Sequence, residues 1–416
     1  MHRRTYLVTA VASASTIAIA GCTGGEPDDA DGDDENGRDD GDEDDDSAGR
    51  WGEHDGLVGT FDDFEDLAAW EAVYGSVEAD SGQSVVGSQS ARLTPNEDGE
   101  IRFRRELDET IDASDVVPGI AVDDSEPGSV ILQVQDGDGD YVEYSQRVMG
   151  GMGLTRTNFG ITRIRGDPDL TETSRLQVVR WYQDSDGPTD GELGVDDFHF
   201  VPKPETGAVM LQFHGGYDTH YTEAFPILQE YDLPGVAFVP TNRLGQRPLM
   251  TSGRAGELAS AGWTIGSFSA YGQPLPNLGS GSMEDDIVDS AEWLDENGYA
   301  DGASCFAYPG NQYDRASYDL VREHYDLAFA GTAPAQGYAG NPHLCSMVPG
   351  PDPGEVTELL EWTAEHNAVT SFAFYQLEET DALAAVEAAA EGLAQRVASG
   401  ELDAITPERM ADEYVV

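Results

Sequence analysis

Two hydrophobic periodicities divide the chain. Between Trp51 and about Pro204, short apolar runs alternate with polar residues. Ile101 and Phe103 alternate with Arg102 and Arg104, and Leu132 and Val134 with Gln133 and Gln135. Leu176 and Val178 run on into Val179-Arg180-Trp181, and a last run covers Leu193 to Val201. Gly- and Asp-rich breaks separate these runs, and no long helical period competes, so an antiparallel β-sandwich is predicted. From Glu205 the pattern alternates between strands and helices. Strands are predicted at Ala208–Phe213, Gly235–Val239, Trp263–Ser267, Cys305–Tyr308, Leu327–Ala330 and Val369–Tyr375. Helices are predicted at Thr219–Tyr231, Met283–Asn297, Arg315–His324, Gly354–Glu365 and Asp381–Ala398, and another closes over Gly256–Ala261. Repeated βα units imply a parallel sheet forming an open or closed (β/α) barrel, with its chemistry at the strand ends.

The first fifty residues follow neither pattern. Arg3 and Arg4 precede an apolar run from Tyr6 to Ala20, too short to span a bilayer comfortably. Residues 1–21 are therefore expected to be a signal peptide, and the paired arginines resemble a twin-arginine export signal. Ile19-Ala20-Gly21-Cys22 resembles a lipoprotein cleavage box, which makes Cys22 the lipidation site. Residues 22–50 are mostly Asp, Glu and Gly, which predicts a self-repelling, extended tether. The expected location is the outer face of the cell membrane, with contact through the lipid anchor alone.

Composition sharpens this picture. The chain has 416 residues, more than one typical domain, and 80 acidic against 22 basic residues, a net charge of −58. Such a charge repels nucleic acid and anionic membranes, so neither is expected as a partner. It also repels itself unless screened, and the Debye length is only about 3 Å at 1 M salt. Carboxylates spread through the folded regions therefore point to salt adaptation. Cys305 and Cys345 are either a disulfide, permitted outside the cytosol, or two buried thiols.

In the 51–204 region, FEDLAAWEAVYGSVEADSGQSVVGSQSARL and LGVDDFHF loosely resemble carbohydrate-binding jelly-roll modules. Trp70, Tyr74, Trp181 and Tyr182 are candidates for stacking on sugar rings, with core packing as the alternative for each. Asp136-Gly-Asp138-Gly-Asp140 suits calcium by composition, but Tyr141 and Arg147 stand where an EF-hand loop needs Gly and Glu. The run lies between two strand-like stretches, so a hairpin turn competes with calcium.

The 205–416 region resembles the polysaccharide deacetylase (NodB-homology) family. QFHGGYDTHYTEAFPILQEYDLPGVAFVP falls where that family has TFDDG and a following helix and strand. GWTIGSFSAYGQPL falls where it has the pattern H-T-x-x-H, and CFAYPGNQYD resembles its third motif. The resemblance implies a deformed parallel barrel and deacetylation of N-acetylated sugars with a divalent metal. Such chemistry needs an activated water, a metal with an open position and a nearby carboxylate base. In this chain His214 stands at the base position, Gly215 at a metal-binding Asp, and Phe268 and Gly272 at the two histidines. No histidine occurs in SFAFYQL, where the late motif falls.

The expectation is therefore a member with its metal site lost and no cofactor. It would be a pseudoenzyme that binds extracellular or cell-envelope polysaccharide, with Tyr217, Tyr271, Tyr308, Pro309, Asp314 and Trp181 as substrate-binding candidates. Trp263 and Tyr375 are further groove candidates. An alternative is an active amide hydrolase with a relocated zinc site at His214, Asp218 and His220. Ser267 or Ser269 with His214 offers nucleophilic chemistry, but no group to orient the base is evident. A structural surface component without a ligand is the third possibility. His343 and His366 are expected at the surface.

Overall fold

The computed structural model describes residues 56–185 and 187–416. The expected signal peptide, the Cys22 lipidation site and the acidic tether lie outside the described residues. Among the described residues, no helix is long and apolar enough to cross a membrane.

Two six-stranded antiparallel sheets make up the N-terminal region. Its main strands are β1 (Gly59–Asp62), β2 (Glu71–Tyr74), β3 (Ser76–Asp80), β4 (Ser90–Thr94), β5 (Glu100–Ile111), β6 (Val116–Asp124), β7 (Gly128–Gln135), β8 (Tyr141–Val148), β9 (Thr155–Thr157), β10 (Gly160–Arg165) and β11 (Thr173–Trp181). A small hairpin of β12 (Gln183–Asp184) and β13 (Gly187–Pro188) leads to β14 (Leu193–Pro202). One sheet runs β3-β4-β14-β6-β9, with β1 on β14; the other runs β10-β8-β7-β11-β5-β2. The alternation seen in the sequence places one parity of each strand in the core. On β7, Val130, Leu132 and Val134 are fully buried, while Gln133 and Gln135 lie on the other face.

Aromatic rings fill the centre of this core. Trp70 lies 4.9 Å from Phe103 and 6.0 Å from Phe198, and its indole N–H donates to Asp62 at 3.0 Å. Tyr182 is also buried, and its hydroxyl donates to Asp124 at 2.9 Å. Trp70 and Tyr182 are therefore core residues rather than sugar platforms. Tyr74 and Trp181 are exposed, at 45% and 40%.

The Asp136–Asp140 run forms the β7–β8 turn. One Asp136 carboxylate oxygen accepts the backbone N–H groups of Asp138, Gly139 and Asp140, at 2.9, 2.9 and 3.0 Å. The other accepts the Asp169 N–H at 3.1 Å. The carboxylate is committed to closing the turn, as the hairpin reading expected, and among the described residues no donor set converges here for calcium.

The C-terminal region is a parallel sheet covered by helices. Its strands are β15 (Gly207–His214), β16 (Val236–Val239), β17 (Thr264–Ser267), β18 (Cys305–Ala307), β19 (Leu327–Phe329), β20 (Val348–Pro349), β21 (Val369–Phe374) and β22 (Leu402–Ala404). They run β19-β18-β17-β16-β15-β21-β20, with β22 beside the start of β15, as a parallel half-barrel. The helices are α1 (Phe225–Glu230), α2 (Ser252–Ser260), α3 (Ser280–Glu296), α4 (Ala300–Ala303), α5 (Arg315–His324), α6 (Pro353–Glu365), α7 (Thr380–Ser399) and α8 (Pro407–Glu413). Strand β15 is buried along its whole length, as its unbroken apolar run requires.

Cys305 and Cys345 are free, buried thiols, so the possible disulfide is not formed. Cys305 pairs with Leu327 on one side of β19, and Cys345 bridges to Phe329 on the other. Two strand spacings of about 4.8 Å separate them, beyond the roughly 7 Å that a disulfide tolerates between Cα atoms.

The segment 331–345 joins the two regions. Gln336 bridges to Gly160 of the sandwich on one side and to Val369 of the barrel on the other. Asn158 is buried at this junction. Its side-chain nitrogen donates to the carbonyls of Asn341 and Leu344 at 2.7 and 2.9 Å, and its oxygen accepts the Asn341 N–H at 3.0 Å. Gly160 has no room for a side chain, because a Cβ there would collide with the Pro334 carbonyl. Asn158→Ala should therefore strand three buried backbone groups and lower stability by about 2–4 kcal/mol. A denaturation midpoint within about 0.5 kcal/mol of the parent would show that this junction carries no such weight.

Candidate functional site

The candidate cleft lies at the carboxyl end of β15. His214 ends the strand and is fully buried. Its ring lies 5.1 Å from Phe238, 5.6 Å from Phe268 and 5.7 Å from Tyr375. Nε2 bonds to the Gln212 side-chain oxygen at 2.8 Å. That contact requires an N–H on Nε2, which leaves Nδ1 a bare, buried acceptor without a partner. Burial pushes the imidazole down to about 3, and nearby His220 adds to the shift. His214 is thus a neutral ring in an aromatic cage.

Two left-handed glycines turn the chain out of β15: Gly215 at φ +93° and Gly216 at φ +64°. A Cβ on Gly215 would sit 2.8 Å from the Tyr217 ring. Tyr217 therefore occupies the space that an Asp side chain would need. The next turn, His220–Ala224, is wide: the Phe225 N–H reaches back five residues to the His220 carbonyl. Such turns re-aim side chains, and His220 here is fully buried. Its Nε2 donates to the Tyr375 carbonyl at 3.0 Å, and its Nδ1 has no partner. Burial lowers its pKa to about 4.

The relocated metal set does not assemble. Asp218 is half-exposed and pairs with Arg254. His214 and His220 spend one nitrogen each on Gln212 and Tyr375. Among the described residues, no three His, Cys, Asp or Glu side chains converge. Phe268 and Gly272 bring no lone pairs, and Gly272 is itself left-handed at φ +67°. The donor set in this cleft does not fit a divalent cation with three protein ligands.

The serines are likewise committed. Ser267 shares hydrogen bonds with Ser290 at 2.8 Å and Tyr325 at 3.0 Å. Ser269 accepts the Gly272 N–H at 3.0 Å. The loop carrying them is pinned from α3: Asp286 accepts the Tyr271 N–H at 2.8 Å, and burial raises its pKa. This buried carboxylate was missed in the sequence, where it reads as an ordinary helical Asp.

The third-motif residues prove structural. Tyr308 and Pro309 are buried, and the Tyr308 hydroxyl has no partner. Asp314 caps α5 through Ser317 in a reciprocal capping box. Tyr308 and Pro309 are thus closed off from solvent and the Asp314 carboxylate is spent on the helix cap, so packing and capping account for all three. Trp263 is buried, 4.9 Å from Phe213. Tyr271 is exposed at 49%, while Tyr217 and Tyr375 are half-buried. His343 and His366 are half-buried rather than at the surface: His343 bonds to the Tyr325 carbonyl at 2.9 Å, and His366 lies 4.5 Å from the Trp362 ring.

Comparison with known proteins finds similarity to polysaccharide deacetylases in the C-terminal half. The family model "Polysaccharide deacetylase" matches residues 202–325. The curated protein named "Putative polysaccharide deacetylase YxkH", of Bacillus subtilis (strain 168), is 25% identical over 112 residues. That match spans 27% of this chain and 40% of the relative's length. Among solved structures, the family 4 carbohydrate esterase from Streptomyces lividans is 14% identical, with 49% of this chain and 94% of that chain covered at a TM-score of 0.35. The Streptococcus pyogenes deacetylase PplD is 20% identical, with 33% and 62% covered at a TM-score of 0.31.

The buried histidines set a pH dependence. Their folded pKa values lie below the unfolded value of about 6.5, so the unfolded chain binds protons first as pH falls. Their contribution is complete above about pH 6.5 and is lost as pH drops toward 4 and 3. Each costs about 1.4 kcal/mol per pH unit in that window. His220→Gln should flatten the fall of stability between pH 6.5 and 4.5 by about one proton's worth, measured by denaturant midpoints at fixed molar salt. An unchanged slope would mean that His220 is protonated in the folded protein.

Proposed function

We propose that this protein is a non-catalytic relative of the polysaccharide deacetylases, holding extracellular or cell-envelope polysaccharide without deacetylating it. The observation that supports this reading most directly is the filling of the cleft. Phe238, Phe268 and Tyr375 enclose a neutral His214, and Tyr217 covers the Gly215 position. A dry aromatic site stabilises neither a cation nor the charge that develops on a hydrolysed amide. Exposed Tyr271 and half-buried Tyr217 remain at the mouth, where a sugar face can pack. The same proposal places the protein outside the cell on a lipid at Cys22, with residues 22–50 as a spacer.

The test is metal analysis of the full chain together with acetate release from N-acetylglucosamine oligomers in molar salt. Neither stoichiometric metal nor acetate is expected. Bound zinc with chelator-sensitive turnover would sink the proposal. The mutational counterpart is Gly215→Asp. With φ at +93° and a contact of 2.8 Å to Tyr217, it should cost about 1–3 kcal/mol and confer no zinc affinity by calorimetry.

A further inference from the structure

The outer face of the β10-β8-β7-β11-β5-β2 sheet carries a groove of about 390 Å³, the size of a small-ligand site. Arg102, Gln133, Tyr141, Arg163, Arg165 and Trp181 are among its walls. We propose that this groove binds a short acidic oligosaccharide of the uronate type. The inference rests on the glycan reading above for the class of ligand, and adds where the ligand sits and what charge it bears.

The register of the sheet builds the site. One line of paired residues crosses all six strands: Glu71, Arg104, Gln177, Gln133, Glu143 and Arg163. Its centre is a ladder of side-chain amides. Gln177 and Gln135 both donate to Gln133, at 3.2 and 3.1 Å, and Gln133 donates to Glu143 at 3.1 Å. All four side chains are almost fully buried, although they lie on the sheet face opposite the core. Each bond fixes an amide, and Gln133, Gln135 and Glu143 form the floor of the groove; such amides both donate to and accept from sugar hydroxyls. Trp181 stands beside them, 40% exposed, as a flat apolar wall for a sugar ring.

Charge selects the anion. This chain carries 80 acidic and 22 basic residues, so two arginines side by side in one groove with no carboxylate bound to either make a local exception to its charge. Most sandwich arginines are paired: Arg92, Arg104, Arg105, Arg156, Arg175 and Arg180 all hold Asp or Glu. Among the described residues of the sandwich, Arg147, Arg163 and Arg165 form no ion pair, and of these Arg163 and Arg165 line the groove. Arg163 faces Glu143 across the register without closing on it, and Arg165 lies over the Tyr141 ring at 5.9 Å. The two guanidiniums stand two residues apart on edge strand β10, at the end of the groove away from Trp181. A planar carboxylate is the group such forks bind best. A dense polyanion such as nucleic acid is disfavoured by the surrounding charge of −58, which leaves a sparsely charged, hydroxyl-rich chain.

The test is calorimetry of the full chain with a galacturonate hexamer and, separately, a neutral glucose hexamer. The acidic hexamer should bind more tightly, and less so in molar than in dilute salt. Arg163→Gln combined with Arg165→Gln, and Trp181→Ala, should each weaken it by about tenfold with unchanged melting. The double Arg→Lys variant keeps the charge and removes the fork, so it should fall between. Equal binding of the neutral hexamer overturns the charge assignment. Binding that survives the sandwich variants and is lost in Tyr271→Ala moves the ligand to the barrel mouth, which ends this inference and leaves the glycan reading standing. Failure of both hexamers to bind ends both.

Discussion

Desolvation of one imidazole constrains the barrel more than any other single feature. His214 closes the buried central strand, and its neighbours are rings that give water no access. A protonated His214 would be an unpaired cation in that cage, so the folded state holds it neutral through Gln212. The same dryness governs what surrounds it. A carboxylate at Gly215 would run into the half-buried Tyr217 ring, and a cation at Phe268 would face benzene edges. On the non-catalytic reading proposed above, packing that stabilises this end of the sheet replaces the polar, open geometry that metal-assisted hydrolysis requires.

The segment 331–345 makes the two halves into one packed unit. Gln336 completes a backbone bridge to each, and Ala335 and Ala368 join the sandwich core from the barrel side. Gln146, on the sandwich, accepts the Thr332 N–H at 3.0 Å and contacts Ser346. A loop that would otherwise carry unsatisfied backbone groups is thus satisfied from both sides. The orientation of the sandwich groove relative to the barrel mouth follows from buried hydrogen bonds rather than from a linker.

Much of the fold was legible because burial leaves a clean pattern in a chain this polar. Helix α5 matches its predicted range end for end, with Asp314 as cap and a strongly amphipathic face. Strand β15 was readable from its apolar run. Strands β20 and β22 escaped because two or three residues carry no period, and they exist only by pairing with β21 and β15. Helix α8 had a readable signal in Thr406 followed by Pro407, a side-chain cap and a first-turn proline. The site was half legible. The residues missing at the motif positions were visible in the sequence, but the rings filling the space were not, because Tyr375 lies far along the chain and meets His214 only through the β15–β21 pairing. Tyr308 and Asp314 misled for the opposite reason: a motif shows residue identity, while their roles in packing and capping depend on where the chain turns.

The distribution of arginine carries the last step. A folded surface with so many carboxylates gains little from any one exposed ion pair, yet most sandwich arginines still find a partner, since carboxylates are never far. Arg156 and Arg180 are buried against Asp197 and Asp124, where removal of either partner would leave an uncompensated charge. The edge strand β10 departs from that rule at Arg163 and Arg165. An edge strand benefits from charge as a guard against pairing with other chains, but acidic residues would supply that guard as well, and they are the chain's default. Two arginines on this strand, beside an ordered amide ladder and an exposed indole, are better explained by what they bind than by what they repel.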